Sequence, residues 1–264
     1  MENGFYTAGE ADEKISSNIY FRLHNHDFYE IYMFSKGDTE YVVEGNTYTL
    51  EPDDIIIIRR HEMHRAHHKS ECEYKRTVLE VYPEFFEKNG CKAYEQPFLN
   101  ADAIGNKISA ELVQKSGLKD AFERLKKYSS DYEDIYTPVC RSIMVEILYL
   151  ISRIKDFSAD DAKDSPVRDI IVYINNNFTE NIKLETLAER FFISKYHICR
   201  IFKEATGHTV HSYITRKRIT RVKELRKEGK SVGEAAYLAG FGNYTSFYRA
   251  YLKEFKAPPG KMDK

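Results

Sequence analysis

Two short helical patterns recur about fifty residues apart near the end of the chain, and they constrain it more than any other feature. The first runs Leu184-Glu-Thr-Leu-Ala-Glu-Arg-Phe191, then Phe-Ile, then Ser194-Lys-Tyr-His-Ile-Cys-Arg-Ile-Phe-Lys203. The second runs Val232-Gly-Glu-Ala-Ala-Tyr-Leu-Ala239, then Gly240-Phe-Gly, then Asn243-Tyr-Thr-Ser-Phe-Tyr-Arg-Ala-Tyr251. Each reads as helix, tight turn, helix, the layout of a unit that sets its second helix into the major groove of DNA. Two such units in one chain would read two successive grooves without a dimer.

Charge supports the same reading. The whole chain carries a net charge of -1, but the two ends differ. From Pro166 to Lys264 there are 19 Lys+Arg and 10 Asp+Glu, a balance of +9, which leaves -10 on the preceding residues. A basic end beside an acidic one predicts that only the C-terminal part meets a polyanion.

The 264 residues suffice for two domains with separate cores. No apolar run approaches the roughly eighteen residues of a membrane span. The first residues, MENGFYTAGEADEK, lack the layout of a secretory signal. The four cysteines stand far apart with no CxxC pair, as in a reduced compartment, so a cytoplasmic location is expected.

Residues 20 to 82 alternate short apolar runs with turn signals. The runs are Tyr29 to Phe34, Tyr41 to Val43, Thr47 to Leu50, Ile55 to Ile58 and Thr77 to Val81. Closely spaced strands of this kind predict an antiparallel sandwich or barrel. From Ala103 the period becomes helical: Ile108, Leu112, Leu118, Phe122 and Leu125 form one series, and Val139, Ile143, Ile147, Leu148 and Ile151 another. Such a helical pair could cover the barrel, dimerise, or do both. The polar stretch from Ser158 to Pro166 reads as a linker, with helix resuming at Val167. The expected fold is therefore α+β in two domains. Residues 1–157 form a sensing and dimerising domain, 158–166 a linker, and 167–264 an all-α domain with two helix-turn-helix units.

Within the first unit, Leu184, Leu187, Ala188 and Phe191 make one buried stripe. Ser194 is a good N-cap for the next helix, whose inner face holds Ile198, Ile201, Phe202 and Ala205. Lys195, Tyr196, Cys199, Arg200 and Lys203 are left on the outer side as candidate DNA contacts. Arginine can grip guanine O6 and N7, lysine can neutralise phosphate, and tyrosine can pack on a thymine methyl or bond a phosphate. In the second unit Val232, Ala235, Ala236 and Ala239 point inward, Gly240 permits the turn, and Asn243 caps a helix that buries Phe247, Ala250 and Tyr251. Asn243, Tyr244, Thr245, Tyr248 and Arg249 are the corresponding contacts. Between the units, the basic segment from Thr215 to Lys230 carries Ile219, Val222 and Leu225 on one side and reads as a connecting helix.

From Ile182 to Met262 the chain resembles the AraC/XylS family of bacterial transcription regulators. The signature stands here as Leu187-Ala188, Ser194, Ile198 to Lys203, Gly207, Tyr213-Ile214, Arg218-Ile219, Ala236, Gly240-Phe241, Phe247, Arg249 and Pro259. Three positions depart from it: Val222 where alanine is usual, Lys256 where glycine is usual, and Met262-Asp263 where Tyr/Phe-Arg is usual. The resemblance implies promoter DNA and RNA polymerase as partners, a homodimer, and a small-molecule effector such as a sugar or related metabolite.

Nearer the start, His24-Asn-His26-Asp-Phe-Tyr-Glu30 resembles the first motif of the cupin barrel. Side chains alternate along a strand, so 24, 26 and 30 are expected on one inward face. His64 fits the histidine of a second motif, although Asp53, Arg59 and His61 stand where that motif prefers Gly, Pro and Gly. His24, His26, Glu30 and His64 are thus the candidate ligand-binding set. Imidazoles and a carboxylate converging inside a barrel can also hold a divalent metal such as Zn, Fe, Mn or Ni, although regulation through an effector requires no cofactor. His61, His67 and His68, with polar neighbours, are read as exposed loop residues. A non-catalytic transcription regulator is the leading reading. A metal-dependent cupin enzyme with a DNA-binding appendage is the alternative.

Overall fold

A computed structural model describes residues 6–16, 19–21, 23–99, 105–131, 137–154, 166–255 and 258–259. The chain divides into two compact units, residues 1–163 and 164–264. The expected linker lies outside the described residues except for Pro166, as do Lys256, Met262 and Asp263.

The first unit contains nine strands among its described residues: β1 (Tyr6–Ile15), β2 (Ile19–Tyr20), β3 (Tyr29–Lys36), β4 (Thr39–Val43), β5 (Asn46–Thr49), β6 (Ile55–Ile58), β7 (His64–His68), β8 (Cys72–Val81) and β9 (Lys107–Ile108). They form two sheets, of order β1-β8-β3-β6-β9 and β2-β7-β4-β5. All the pairings between these strands are antiparallel. The β4–β5 hairpin closes through Glu44 and Gly45, both at positive φ (48° and 80°), the geometry that matches the twist of a two-residue hairpin.

The two sheets face each other around an aromatic interior. Tyr32 and Phe34 of β3, Ile56 and Ile58 of β6 and Tyr74 of β8 meet Tyr41 and Val43 of β4, Tyr48 of β5 and Ala66 of β7. The opposite face of the larger sheet is equally buried. Tyr29, Ile31, Met33, Ile55 and Ile57 pack beneath helices α1 (Pro83–Lys88), α2 (Gln96–Leu99), α3 (Ala110–Ser116), α4 (Leu118–Asp131) and α5 (Pro138–Arg153). Burial on both faces explains why Ile55 to Ile58 is continuously apolar and does not alternate. The stripe of α5, with Ile143, Ile147, Leu148 and Ile151, is taken up by this layer. The first series expected as a single helix is split: Ile108 lies on β9, Leu112 on α3, and Leu118, Phe122 and Leu125 on α4 after a left-handed break at Gly117. These helices cover the larger sheet.

The second unit is helical: α6 (Pro166–Asn177), α7 (Leu184–Phe191), α8 (Lys195–Thr206), α9 (Val210–Lys227), α10 (Val232–Leu238) and α11 (Tyr244–Phe255). The connecting helix α9 begins five residues earlier than the basic pattern suggested, because Thr209 caps it by accepting from the Ser212 amide. Ile219, Val222 and Leu225 of α9 meet Ala235, Ala236, Ala239, Phe241, Phe247 and Tyr251 in one core. Val222 is fully buried there, so its departure from alanine adds packing volume.

Candidate functional sites

Recognition-type helices α8 and α11 are both capped by the residues the pattern pointed to. Ser194 accepts from the amide of His197 at 3.3 Å, and Asn243 Oδ1 accepts from the amide of Ser246 at 2.8 Å. Ile198, Phe202 and Phe247 anchor their inner faces and are fully buried. All ten candidate DNA contacts are exposed: Lys195, Tyr196, Cys199, Arg200 and Lys203 on α8, and Asn243, Tyr244, Thr245, Tyr248 and Arg249 at α11. Two of the basic ones form surface ion pairs. Arg200 donates to both carboxylate oxygens of Glu204 at 3.1 Å, and Lys195 pairs with Glu185 at 2.8 Å. Phe192, in the turn of the first unit at φ 55°, is 96% exposed, and sequence reasoning left it out.

In the barrel, His24, His26, Glu30 and His64 come together, though not by the alternation expected of one strand. Strand β3 starts only at Tyr29, after a bend at Asp27 and Phe28. His24 reaches the cluster through an isolated bridge, its backbone exchanging hydrogen bonds of 3.1 and 2.9 Å with His64. That pairing sets the two imidazoles opposite each other, with ring centres 4.3 Å apart. The His26 ring stacks on Phe28 at 3.8 Å and lies 4.7 Å from that of His64. His24 is exposed, His26 half-buried and His64 fully buried.

Hydrogen bonds fix the ring orientations. His26 Nδ1 lies 2.9 Å from the Phe28 carbonyl and His64 Nδ1 2.8 Å from the Glu62 carbonyl. A carbonyl only accepts, so both Nδ1 atoms donate, and in the neutral rings each Nε2 carries a lone pair. Those Nε2 atoms lie 3.1 Å and 3.8 Å from Glu30 Oε2. Tyr41 donates to the other Glu30 oxygen at 3.2 Å. Burial pushes the Glu30 carboxyl upward, whereas His26 and His64, in their protonated forms, and the Tyr41 hydroxyl pull it below its ordinary range. Burial lowers His64 to about 4, which leaves it neutral.

The reading of His67 and His68 as exposed loop residues is overturned, whereas His61 lies in a turn but is half-buried. His67 and His68 lie on β7, and His68 is fully buried. Its Nδ1 is 2.8 Å from Thr39 Oγ1, and its ring meets Tyr74 edge-on at 4.3 Å. The signal was the pleat: His64, Ala66 and His68 alternate inward, but the polar run Lys69-Ser-Glu71 concealed it. His61 lies in a turn with its side chain 3.2 Å from Asp27. Asp53 and His61, standing where glycine was expected, keep glycine-like backbones at φ 74° and 66°. Arg59, in place of proline, is a buried hub that donates to Glu62 and to the carbonyls of Pro97 and Gly105.

A sensor-type barrel followed by two helix-turn-helix units defines a two-domain regulator. Comparison with known proteins agrees on both parts. Residues 9–134 match the AraC-like ligand binding domain, and residues 187–264 match a helix-turn-helix domain. The chain belongs to the AraC type of transcription regulators. Among its relatives, the HTH-type transcriptional activator RhaS of Citrobacter koseri is 24% identical, over 97% of this chain and 93% of the relative. RhaS of Salmonella arizonae is 27% identical over the same shares. The solved structure of ToxT from Vibrio cholerae aligns at 12% identity and a TM-score of 0.40, over 97% of this chain and 96% of that one. No helix among the described residues is long and apolar enough to cross a membrane.

Proposed function

We propose that the chain is a cytoplasmic, effector-controlled activator that grips promoter DNA through α8 and α11 as a homodimer and engages RNA polymerase there. The observation that carries this reading is the pair of capped, basic helices whose ten outer side chains are exposed while their inner faces are locked into cores. Arg200 and Arg249 are assigned to base edges, and Lys195 and Lys203 to phosphates. Helix α9 between the units has 18 residues, about 27 Å at the usual rise. Successive major grooves on one face lie about 34 Å apart, a comparable length.

The effector is assigned to the mouth of the barrel beside His24, His26, Glu30 and His64, and a sugar or related metabolite is the class the family resemblance favours. The deeper interior is filled with rings from Tyr32, Phe34, Tyr41, Tyr48 and Tyr74. Because the stripe of α5 is committed to the larger sheet, dimerisation falls to its outer face, where Val139 and Tyr149 are exposed. The relatives named as activators favour regulation over catalysis.

Selection from a random duplex pool with the full chain tests the DNA assignment. A recovered consensus, bound at least tenfold more weakly by the Arg200→Ala/Arg249→Ala double variant, supports it. Recovery of no consensus, or equal binding by the variant, rejects it. A thermal-shift screen of sugars tests the effector class, and a screen without a hit rejects it.

A further inference from the structure

We infer that His24, His26 and His64 hold one divalent transition-metal ion at the mouth of the barrel, with Glu30 beside it as the carboxylate partner. One donor atom from each of the three imidazoles lies within 4.8 Å of the others. An ion about 2.0–2.1 Å from each nitrogen, in tetrahedral geometry, spaces those nitrogens roughly 3.3 Å apart, so the rings close by up to about 1.5 Å. His24 is the exposed member of the three.

The orientation of the rings is the stronger argument. Backbone carbonyls of Phe28 and Glu62 take the Nδ1 protons of His26 and His64. This is the outer hydrogen bond that a ligating histidine characteristically makes, and it frees Nε2 to coordinate. His64 Nε2 is buried and has no hydrogen-bond partner, a costly state for a polar atom without a cation to meet it. His26 Nε2 confronts Glu30 Oε2 at 3.1 Å, two acceptors facing each other when the imidazole is neutral. A proton on His26 would relieve that contact and still leave His64 Nε2 unmet. A single cation satisfies the His64 nitrogen, the His26 nitrogen and the carboxylate together.

Donor chemistry limits the occupant. Nitrogen-rich sites of this kind favour Zn, Ni, Co, Cu or Fe over Mg and Ca, which prefer all-oxygen ligation. The exposed side at His24 supplies an entry path and leaves coordination positions toward solvent, where oxygen atoms of an effector would bind. Effector binding at those positions rests on the sensor reading of the barrel; the metal site itself does not.

The test uses the full chain, stripped with a chelator and titrated with Co²⁺ alone. One equivalent should bind and produce the visible d–d bands of a nitrogen-ligated ion, Zn²⁺ should displace it, and Mg²⁺ should not. His24→Gln, at the exposed position and least able to disturb folding, and His26→Gln should each weaken Co²⁺ by about a hundredfold. His67→Gln, on the same β7 strand as His64, should bind like the parent. Absence of stoichiometric Co²⁺ binding, or unchanged binding and bands in both His24→Gln and His26→Gln, overturns the proposal. DNA selection is scored separately, so failure of the metal site and failure of the regulator reading give different results.

Discussion

Gly240, in the turn of the second helix-turn-helix unit, lies so close to Thr179 that a β-carbon placed on it would overlap the Thr179 carbonyl. The same short loop is gripped from the other side. Arg218 of α9 donates to the carbonyls of Phe178 at 2.6 Å and Glu180 at 2.7 Å. Three consecutive carbonyls ahead of α7 are thus held by α9 and the turn before α11, which ties the first helix-turn-helix to the second.

Gly240→Ala should therefore destabilise the helical unit by at least about 2 kcal/mol. A φ of +88° already costs an L-residue roughly 1–2 kcal/mol, and the overlap with backbone adds to it. Arg218→Met should cost about 1.5–3 kcal/mol through its two charge-assisted bonds. The two changes should combine to less than their sum, since both loosen one loop. Urea unfolding of the full chain measures all three; a change below 0.5 kcal/mol for Gly240→Ala would sink the clamp.

On DNA, Arg200 and Lys203 should behave differently although both lie exposed on α8. Arg200→Ala should cost about 1–3 kcal/mol on the selected site and relax base preference at one position. Lys203→Ala should weaken every sequence alike and make the salt dependence shallower by about one counterion. Arg200 must leave Glu204 to reach a base, so Glu204→Gln should raise affinity. Competition gel shifts at several salt concentrations separate these outcomes, and identical profiles for the two single variants would remove the assignment.

Removing the cap of α8 gives a smaller effect. Ser194→Ala leaves the His197 amide without its side-chain acceptor and should cost about 1 kcal/mol of stability. Ser194→Asp should retain it. A melting temperature that falls equally in both variants would argue against capping as the role.

His68 gives the barrel a pH dependence of predictable sign. Burial, then the charges of His67 and Arg76, lower its affinity for protons in the folded state. The unfolded chain, with the ordinary histidine value of about 6.5, binds the proton more readily. Stability from His68 is thus complete above that value and is lost as pH falls below it toward the depressed folded value. In chelator, His68→Asn should narrow the stability difference between pH 7.5 and 5.5. Unfolding curves with the same difference in both proteins would contradict a buried neutral imidazole.

Much of this was legible because period and face coincide on helices. Ile198 and Phe202 repeat at helical spacing and are buried, while Arg200 and Lys203 are not. The barrel was harder to read. Strand β1 carries Glu10, Asp12 and Glu13 and gives no apolar alternation, because backbone pairing with β8 places it. The His24–His64 pairing joins residues forty apart, and no local pattern encodes it. Asp53 and His61 show the converse: the residues depart from glycine while the backbone keeps glycine's conformation, at a strain of roughly 1 kcal/mol or more each.

On β3, Glu30 points among the imidazoles, while its neighbour Tyr29 points the other way and donates to Glu95 at 2.9 Å beneath the helical layer. One peptide bond separates the residue that would feel an occupant of the barrel from the residue that fastens the helices. The strand is a party wall between two rooms: one face lines the barrel interior and the other lies under the helices.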